Sequence, residues 1–355
     1  MRTLLLAPAL FSSDGGIERM MRLYLKALCD IATPDDSVTL ATLNDDLRGD
    51  GRIAAYSTPV LRHTIAGRRR RIRFSVAVVL AARHCDRVVC GHVNLLPLVR
   101  AVRLMNPRLE VHLIAHGVEA WRPWTRGQRL ALRERDRVIA VSEFTRQRVL
   151  EQCAGIHPDR TRVVPNALDP NLPTPAAIRT PNLIVTLSRL SASDRYKGVD
   201  HLIETMPTIR TACADARLLV IGDGDDRARL ERLAAERAPD AVEFAGRLTD
   251  RLARERLAAA ALFALPSRDE GFGLVYVEAL SLGIPCVAAR SGGASEVVDE
   301  SVGTLVEYGH TTQLAAACVA ALRRTWDPSE LRRHASRFSY PMFRDRLSEA
   351  LNSAQ

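Results

Sequence analysis

Short apolar segments alternate with helical patterns along this chain, and the alternation starts afresh after a proline-rich stretch at residues 166–175. In the first half the pattern predicts strands at 2–7, 37–43, 87–90, 111–115 and 137–141, and helices at 17–29, 76–84 and 143–152. In the second half it predicts strands at 183–187, 217–221, 242–244, 262–265, 285–288 and 303–306, and helices at 198–211, 226–237, 249–260, 271–282 and 312–324. Continuous apolar strands are typical of parallel sheets covered by helices on both faces. The sequence therefore predicts an α/β protein with two Rossmann-like, doubly wound domains.

The proline-rich stretch places the boundary between the two domains. We expect an N-terminal domain over 1–170 and a C-terminal domain over 171–338. Residues 339–355 are expected to form a helix that packs back on the N-terminal domain.

Length and composition agree with a globular protein. With 355 residues, of which 47% are apolar and 26% charged, the chain is long enough for two cores and is not disordered. No segment approaches the roughly 20 apolar residues of a membrane span. The apolar start, residues 1–10, leads directly into a polar turn and a helix, which favours a first strand over a signal peptide. Seven cysteines without a Cys-x-x-Cys pair are typical of buried thiols in a reducing cytoplasm.

The net charge of +9 is unevenly distributed. Residues 51–150 hold 20 Lys and Arg against 6 Asp and Glu, whereas residues 181–355 hold 22 against 24. The densest part is the run Gly-Arg-Arg-Arg-Arg-Ile-Arg-Phe at 67–74. Such a run indicates a solvated face, an anionic membrane surface met through residues 68–80, or an acceptor diphosphate. Nucleic acid ranks last, because no binding motif or interleaved aromatic residues accompany the charge.

A pair of glutamates lies eight positions apart in the second half. Glu270 and Glu278 are separated by a glycine-flanked turn that follows a predicted strand and opens a helix. Gly271 and Gly273 let the backbone approach a ligand, and free N–H groups at a helix start favour phosphate or sugar oxygens. The alternative, for this spacing alone, is an ordinary strand-to-helix turn with one capping and one solvated carboxylate.

Seven motifs in a fixed order give the chain a resemblance to a known family. They are Asp-Gly-Gly-Ile-Glu at 14–18, His-Gly at 116–117, Val-Ser-Glu-Phe-Thr at 141–145, Val-Pro-Asn-Ala-Leu-Asp at 164–169, Ser-Arg-Leu at 188–190 with Tyr-Lys-Gly at 196–198, Gly-Asp-Gly at 222–224 with Gly-Arg-Leu at 246–248, and the glutamate pair. Over its full length the chain resembles the retaining glycosyltransferases of family 4. The resemblance implies the GT-B fold, in which two Rossmann-like domains face a central cleft, and a sugar donor activated by a nucleotide.

The resemblance also implies the site residues. Arg189 and Lys197 match the family's diphosphate-binding cations, with Arg195 as a competitor, and Glu278 matches the ribose-binding carboxylate. Glu270 and the amides after it would hold the sugar, His116 would lie near the sugar and leaving group, and His92 and His63 remain open between acceptor contact and packing. The implied catalytic residues are Glu270, His116, Arg189 and Lys197. The implied donor-binding residues are Gly15, Gly16, Ser188, Arg189, Lys197, Glu270, Gly271, Phe272, Gly273, Leu274 and Glu278.

Fixed cations and backbone amides would stabilise a departing diphosphate without a metal ion. No Asp-x-Asp segment is placed to hold one, since Asp223 to Asp226 form a strand-to-helix turn, so we expect neither metal nor cofactor. The implied mechanism is attack from the face that the leaving group occupies, with retention of configuration.

The expected donor is GDP-mannose, with a UDP-hexose as the alternative. The expected acceptor is a saccharide, in particular one linked to a polyprenyl diphosphate, and the expected location is the inner face of the cell membrane. A nucleotide-sugar epimerase and a basic lipid-binding or nucleic-acid-binding protein remain the competing functions.

Overall fold

The computed structural model describes residues 1–13, 15–153 and 155–352. Within this part the chain forms two compact units. The first consists of Met1–Asp169 together with the segment from Ser339 onward, and the second of Pro170–Phe338. The division falls inside the proline-rich stretch.

The first unit contains a sheet of seven parallel strands in the order β3-β2-β1-β4-β5-β6-β7. The strands are β1 Arg2–Ala7, β2 Ser37–Thr42, β3 Leu61–Ala66, β4 Arg87–Cys90, β5 Glu110–Ala115, β6 Arg137–Ala140 and β7 Thr161–Val163. The helices are α1 Gly16–Ile31, α2 Arg71–Ala82, α3 Leu96–Met105, the short α4 Val118–Trp121 and α5 Arg126–Arg129, and α6 Glu143–Gln152. Buried side chains of β1, β4 and β5 form the centre of the core.

Two strands of this unit, β3 and β7, and the helix α3 were not predicted, and the predicted helix at 76–84 has a different start. β3 carries exposed polar side chains at Arg62, His63 and Thr64, because it lies at the edge of the sheet, and it therefore has no apolar run. α2 begins at Arg71 rather than at Val76, so the last arginines of the basic run belong to the helix.

The second unit contains a sheet of six parallel strands in the order β10-β9-β8-β11-β12-β13. The strands are β8 Leu183–Leu187, β9 Arg217–Ile221, β10 Val242–Gly246, β11 Leu262–Leu265, β12 Cys286–Ala289 and β13 Gly303–Val306. The helices are α7 Val199–Ala212, α8 Arg227–Arg237, α9 Asp250–Ala258, α10 Leu274–Ser281, the short α11 Ala294–Val297, α12 Thr311–Arg323 and α13 Pro328–Ala335. The prediction of two doubly wound α/β domains is confirmed.

A last helix, α14 Tyr340–Asn352, packs in the first unit against α1. The Tyr340 hydroxyl donates to Asp30 at 2.5 Å, and the rings of Phe343 and Tyr24 meet edge to face at 5.0 Å. Arg87 at the start of β4 donates to the Leu351 carbonyl at 2.8 Å. The end of α14 is therefore held at the edge of the sheet where the strands begin. The edge where the strands end, at which α/β sheets bind ligands, lies on the opposite side of the sheet.

None of the helices in the described ranges is long and apolar enough to cross a bilayer. All seven cysteines are free thiols, and all except Cys213 are buried.

Candidate active site

In the second unit, the predicted site residues lie where the strand order of the sheet reverses. β8 and β11 are neighbours in the sheet although β9 and β10 come between them in the chain. Ser188 and Arg189 follow β8, and the glutamate-containing turn follows β11. Ligands of open α/β sheets bind outside the carboxyl ends of the strands at such a switch point. The two segments are therefore brought to the expected place for a nucleotide ligand.

Lys197 and Glu270 form an ion pair at this point. Lys197 Nζ donates to Glu270 Oε2 at 2.6 Å, and the two side chains are only 18% and 16% exposed. Burial, the largest single effect, would lower the pKa of Lys197, but the attraction and hydrogen bond of Glu270, with smaller contributions from Tyr196 and Asp194, together raise the pKa above its usual value. Lys197 is therefore a fixed positive charge at neutral pH.

The glycine-containing turn between the two glutamates is shaped by backbone and packing. Gly273 has φ +89°, in the left-handed region, and a Cβ there would collide with the Tyr276 ring. The turn ends there, and α10 begins at Leu274 rather than at Gly271. No side chain caps the start of α10, which leaves its first N–H groups directed out of the helix.

Side chains on and before α10 are largely buried. The Tyr276 hydroxyl donates to the Leu265 carbonyl at 2.6 Å, which fixes α10 against β11. Phe272 is buried and packs edge to face on Phe338 at 5.4 Å, so this residue offers its backbone rather than its ring. Glu278 is 3% exposed on the helix.

Arg189 is oriented by a carboxylate from the following loop. Its Nε donates to Asp194 Oδ2 at 2.5 Å, while its own side chain is 70% exposed and that of Asp194 only 7%. Asp194 belongs to the stretch 191–195, of which sequence reasoning considered only Arg195, as the competing cation. The structure shows that this stretch supplies the arginine's partner.

Arg195, the competing cation, has a different environment. Its Nη2 donates to Asp226 at 3.0 Å, and Asp226 also accepts from Arg229 at 2.6 Å. Asp226 is 5% exposed. Arg195, whose side chain is 54% exposed, thus belongs to an ion-pair network with Asp226 and Arg229, whereas Arg189, 70% exposed, pairs with Asp194.

Two further glycines complete this part of the site, and sequence reasoning missed them. Gly292 and Gly293 follow β12, and the Gly293 N–H donates to the Glu270 carbonyl at 2.7 Å. A Cβ at Gly292 would lie 2.5 Å from the same carbonyl, and one at Gly293 would lie 2.5 Å from the Gly271 carbonyl. The Ser-Gly-Gly sequence directly after a buried strand was the available signal.

The Gly-Asp-Gly turn after β9 has a packing role. Gly222 has φ +144°, and Cβ atoms at Gly222 and Gly224 would collide with the carbonyls of Ser188 and Leu190. The glycines therefore allow this turn to pack closely against the segment that carries Arg189. The Ser188 hydroxyl is buried and has no hydrogen-bond partner among the described residues.

In the first unit, His116 lies at the carboxyl end of β5. Its Nε2 lies 3.2 Å from the Gly91 carbonyl, and its buried Nδ1 has no partner within the described ranges. Burial lowers the pKa of His116, so the imidazole is neutral at pH 7. Glu119 accepts the N–H groups of His116 and Gly117 at 2.8 and 3.0 Å and fixes the turn.

The other two histidines differ in their surroundings. His92 follows β4, its Nδ1 accepts the Asn94 N–H at 3.1 Å, and burial lowers its pKa. His63 is exposed on β3 at the edge of the sheet.

The loop between β1 and α1 is held by a carboxylate that sequence reasoning also missed. Asp45, 2% exposed, accepts N–H bonds from Leu10, Phe11 and Ser12 at 2.7, 3.1 and 2.7 Å. Gly15 caps α1 and Gly16 begins it. Asp14, the first residue of this motif, lies outside the described residues.

Within the part of the chain that the structure describes, no group of three or more His, Cys, Asp or Glu side chains is placed to hold a metal ion.

The fold and the switch-point residues define a class of protein, and comparison with known families identifies it. Residues 181–324 match the family model for glycosyl transferases group 1, and residues 14–172 match that for glycosyltransferase family 4. The chain is a glycosyltransferase with the GT-B fold. It belongs to glycosyltransferase family 4.

Its relatives include two mannosyltransferases. The chain is 31% identical over 307 residues to a GDP-mannose-dependent monoacylated alpha-(1-6)-phosphatidylinositol monomannoside mannosyltransferase of Corynebacterium glutamicum, covering 79% of each chain. It is 36% identical over 148 residues to a GDP-mannose-dependent alpha-(1-6)-phosphatidylinositol monomannoside mannosyltransferase of Mycobacterium tuberculosis, covering 39% of this chain and 37% of the relative.

Solved structures share the fold. The Anabaena HepE protein in complex with UDP and glucose matches with a TM-score of 0.76 at 22% identity, covering all of both chains. The lipopolysaccharide outer core galactosyltransferase WaaB matches with a TM-score of 0.73 at 16% identity, covering 99% of both.

Proposed function

We propose that this protein transfers mannose from GDP-mannose to a lipid-linked saccharide, with retention of configuration and without a metal ion, at the cytoplasmic face of the membrane. The observation that carries the proposal is the pair of fixed cations, Lys197 and Arg189, at the switch point beside the Glu270 turn. The Corynebacterium glutamicum relative, matched over 79% of its length, supports the choice of donor and acceptor.

The leaving nucleoside diphosphate carries the largest new negative charge of the reaction. Arg189, with its exposed planar guanidinium, is suited to grip phosphate oxygens, and Lys197 supplies a point charge. Preorganised cations of this kind provide the electrostatic stabilisation that a metal ion gives elsewhere. In this proposal the acceptor hydroxyl gives its proton to the leaving phosphate.

The carboxylates and the histidine have binding and orienting roles. We assign Glu278 to the ribose hydroxyls, and Glu270 with the amides of residues 271–273 to the donor sugar. Glu270 accepts a hydrogen bond from Lys197 at 2.6 Å, and this ion pair suits a group that positions the sugar rather than one that attacks it. We assign His116, a neutral imidazole at pH 7, to orienting the reacting groups.

The donor is tested first with nucleotides alone. Calorimetry with GDP and UDP should show tighter binding of GDP, and incubation with a panel of sugar nucleotides should release GDP from GDP-mannose. Proton NMR of the product should show the anomeric configuration of the donor. Tighter binding of UDP would indicate a UDP-hexose as the donor in place of GDP-mannose. A β-linked mannose in the product would exclude retention of configuration. An isomerised sugar nucleotide would indicate an epimerase.

The surface of α2 supports action at a membrane. Ile72, Val76 and Leu80 are 84%, 56% and 53% exposed and are spaced by four residues, so they lie on one face of the helix. The arginine run directly precedes and opens this helix. An exposed apolar stripe with flanking cations is typical of a helix that lies in the interface of an anionic bilayer.

A further inference from the structure

The basic run folds around a cavity in the first unit. The cavity has a volume of about 260 Å³ and is lined by Arg48, Arg68, Arg70 and Arg73 above Leu47 and Gly67. Arg48 comes from the loop after β2, and the other three arginines come from the loop after β3 and the first turn of α2. Two separate chain segments therefore contribute arginines to the lining of one cavity.

The loop that carries these arginines is fixed to the end of β2. Gly67 N–H donates to the Thr42 carbonyl at 2.7 Å, and Arg69 N–H donates to the Leu43 carbonyl at 2.8 Å. A Cβ at Gly67 would lie 2.5 Å from the Leu43 carbonyl. The loop is thus held tightly, although its side chains are exposed.

Its backbone conformation is unusual. Arg68 and Arg69 have φ of +47° and +64°, two consecutive residues other than glycine in the left-handed region. Such conformations persist where the surrounding structure imposes them, and they are enriched at ligand clamps. The strained turn redirects the chain so that Arg70 and Arg73 line the same cavity as Arg48.

The charges in the cavity are incompletely compensated. Arg68 pairs with Asp46 at 2.6 Å. Within the described ranges, no carboxylate forms an ion pair with Arg48, Arg70 or Arg73. A volume of about 260 Å³ lies just below the roughly 300–1,000 Å³ of pockets for larger ligands, so a small anionic group fits better than a saccharide.

From these observations we infer that the arginine cavity, defined by Arg48, Arg68, Arg70 and Arg73, binds the phosphate or diphosphate group of the acceptor. This assignment rests on the proposed function, because it is the lipid-linked acceptor that carries such a group. Guanidinium groups bind phosphate through paired, charge-assisted N–H bonds. The cavity lies beside the apolar stripe of α2, so the phosphate site adjoins the face assigned to the membrane.

The first test is calorimetry with inorganic pyrophosphate, titrated into full-length protein saturated with GDP so that donor-side cations are occupied. The cavity variant is Arg48→Gln/Arg70→Gln/Arg73→Gln. The charge-matched control is Arg62→Gln/Arg83→Gln/Arg100→Gln, three exposed arginines on neighbouring elements. We expect the cavity variant to bind pyrophosphate at least about tenfold more weakly than the parent, and the control to stay within about threefold. Equal weakening in both variants, or parent-like binding by the cavity variant, would overturn the inference.

The second test identifies the source of the phosphate. Two kinds of vesicle with equal negative charge are compared. In one the charge comes from a polyprenyl diphosphate in a neutral lipid, and in the other it comes from phosphatidylglycerol. We expect the parent and the control to prefer the diphosphate vesicles and the cavity variant to lose that preference. Pyrophosphate binding without any vesicle preference would mean a site for free phosphate and would overturn the acceptor assignment. If the parent does not bind GDP, the proposed function is contradicted. The effect of the cavity variant on pyrophosphate binding remains a separate result, because the cavity lies in the first unit.

Discussion

Glu270 and Glu278 lie eight positions apart, yet they have different surroundings. Glu278 is almost fully buried on α10, whereas Glu270 lies on the preceding turn in contact with Lys197. The ribose contact proposed for Glu278 would be made equally in the bound donor and in the transition state, whereas the sugar positioning proposed for Glu270 would matter most during transfer. The two carboxylates should therefore affect different kinetic constants.

We predict that Glu278→Gln raises the donor KM and the Kd for GDP with little change in kcat, and that Glu270→Gln mainly lowers kcat. Loss of one charge-assisted hydrogen bond should cost about 1.5–3 kcal/mol in each case. Steady-state kinetics and calorimetry measure both effects, and Glu300→Gln, an exposed residue of the same unit, is the control. Parent-like constants for both variants would contradict the site assignment.

The burial of His116 predicts how the free energy of unfolding depends on pH. Burial lowers its pKa below the ordinary value of 6.5, so as the pH falls through 6.5 the unfolded chain takes up a proton that the folded chain does not. The free energy of unfolding should therefore decrease between pH 7 and pH 5. In His116→Gln this decrease should be smaller, as measured by urea midpoints at both pH values. A parent-like decrease in His116→Gln would contradict the prediction, and His63→Gln, at an exposed position, is the control that should keep it.

At the scale of elements, the sequence predicted the parts whose burial imposes a pattern. Buried strands such as β8 and β11 match their predicted bounds, because both faces are covered and the apolar run is continuous. β3 lies at the edge and shows no such run. Asp45, Asp194 and Gly292 also escaped prediction, because their roles depend on contacts with segments distant in sequence or on loop geometry.

The helix α2 carries a prediction of its own. Ile72→Ser/Val76→Ser/Leu80→Ser should sediment less with anionic vesicles than the parent, because the exposed apolar stripe is removed. The control Leu104→Ser/Met105→Ser/Leu130→Ser changes three apolar residues of the same unit that are 81%, 60% and 53% exposed. Binding of the parent should also weaken with salt, since each basic residue near the surface contributes only about 1 kcal/mol and is screened within about 8 Å. If both variants sediment equally, or if binding of the parent does not change with salt, α2 is an ordinary solvated surface and not a membrane contact.

For the whole molecule, the charge distribution separates the two units by chemistry. The basic excess at 51–150 lies in the first unit, which carries α2 and the arginine cavity. The second unit has nearly balanced charge, and at its switch point Lys197 is paired to Glu270 and Arg189 to Asp194. Each of these two cations is held in place by a carboxylate at the point where we propose that they stabilise the departing diphosphate.

The last prediction concerns how the molecule neutralises that diphosphate. If the two cations perform this task, transfer by the parent should continue in EDTA, and Arg189→Ala and Lys197→Ala should each lower kcat/KM by at least about tenfold with no rescue by Mg²⁺ or Mn²⁺. Arg195→Ala is the matched control, because Arg195 pairs with Asp226 in the structural network, and its effect on kcat/KM should be smaller. Circular dichroism of each variant verifies folding. Loss of parent activity in EDTA that Mg²⁺ or Mn²⁺ restores would show that a metal ion performs the task assigned to Arg189 and Lys197.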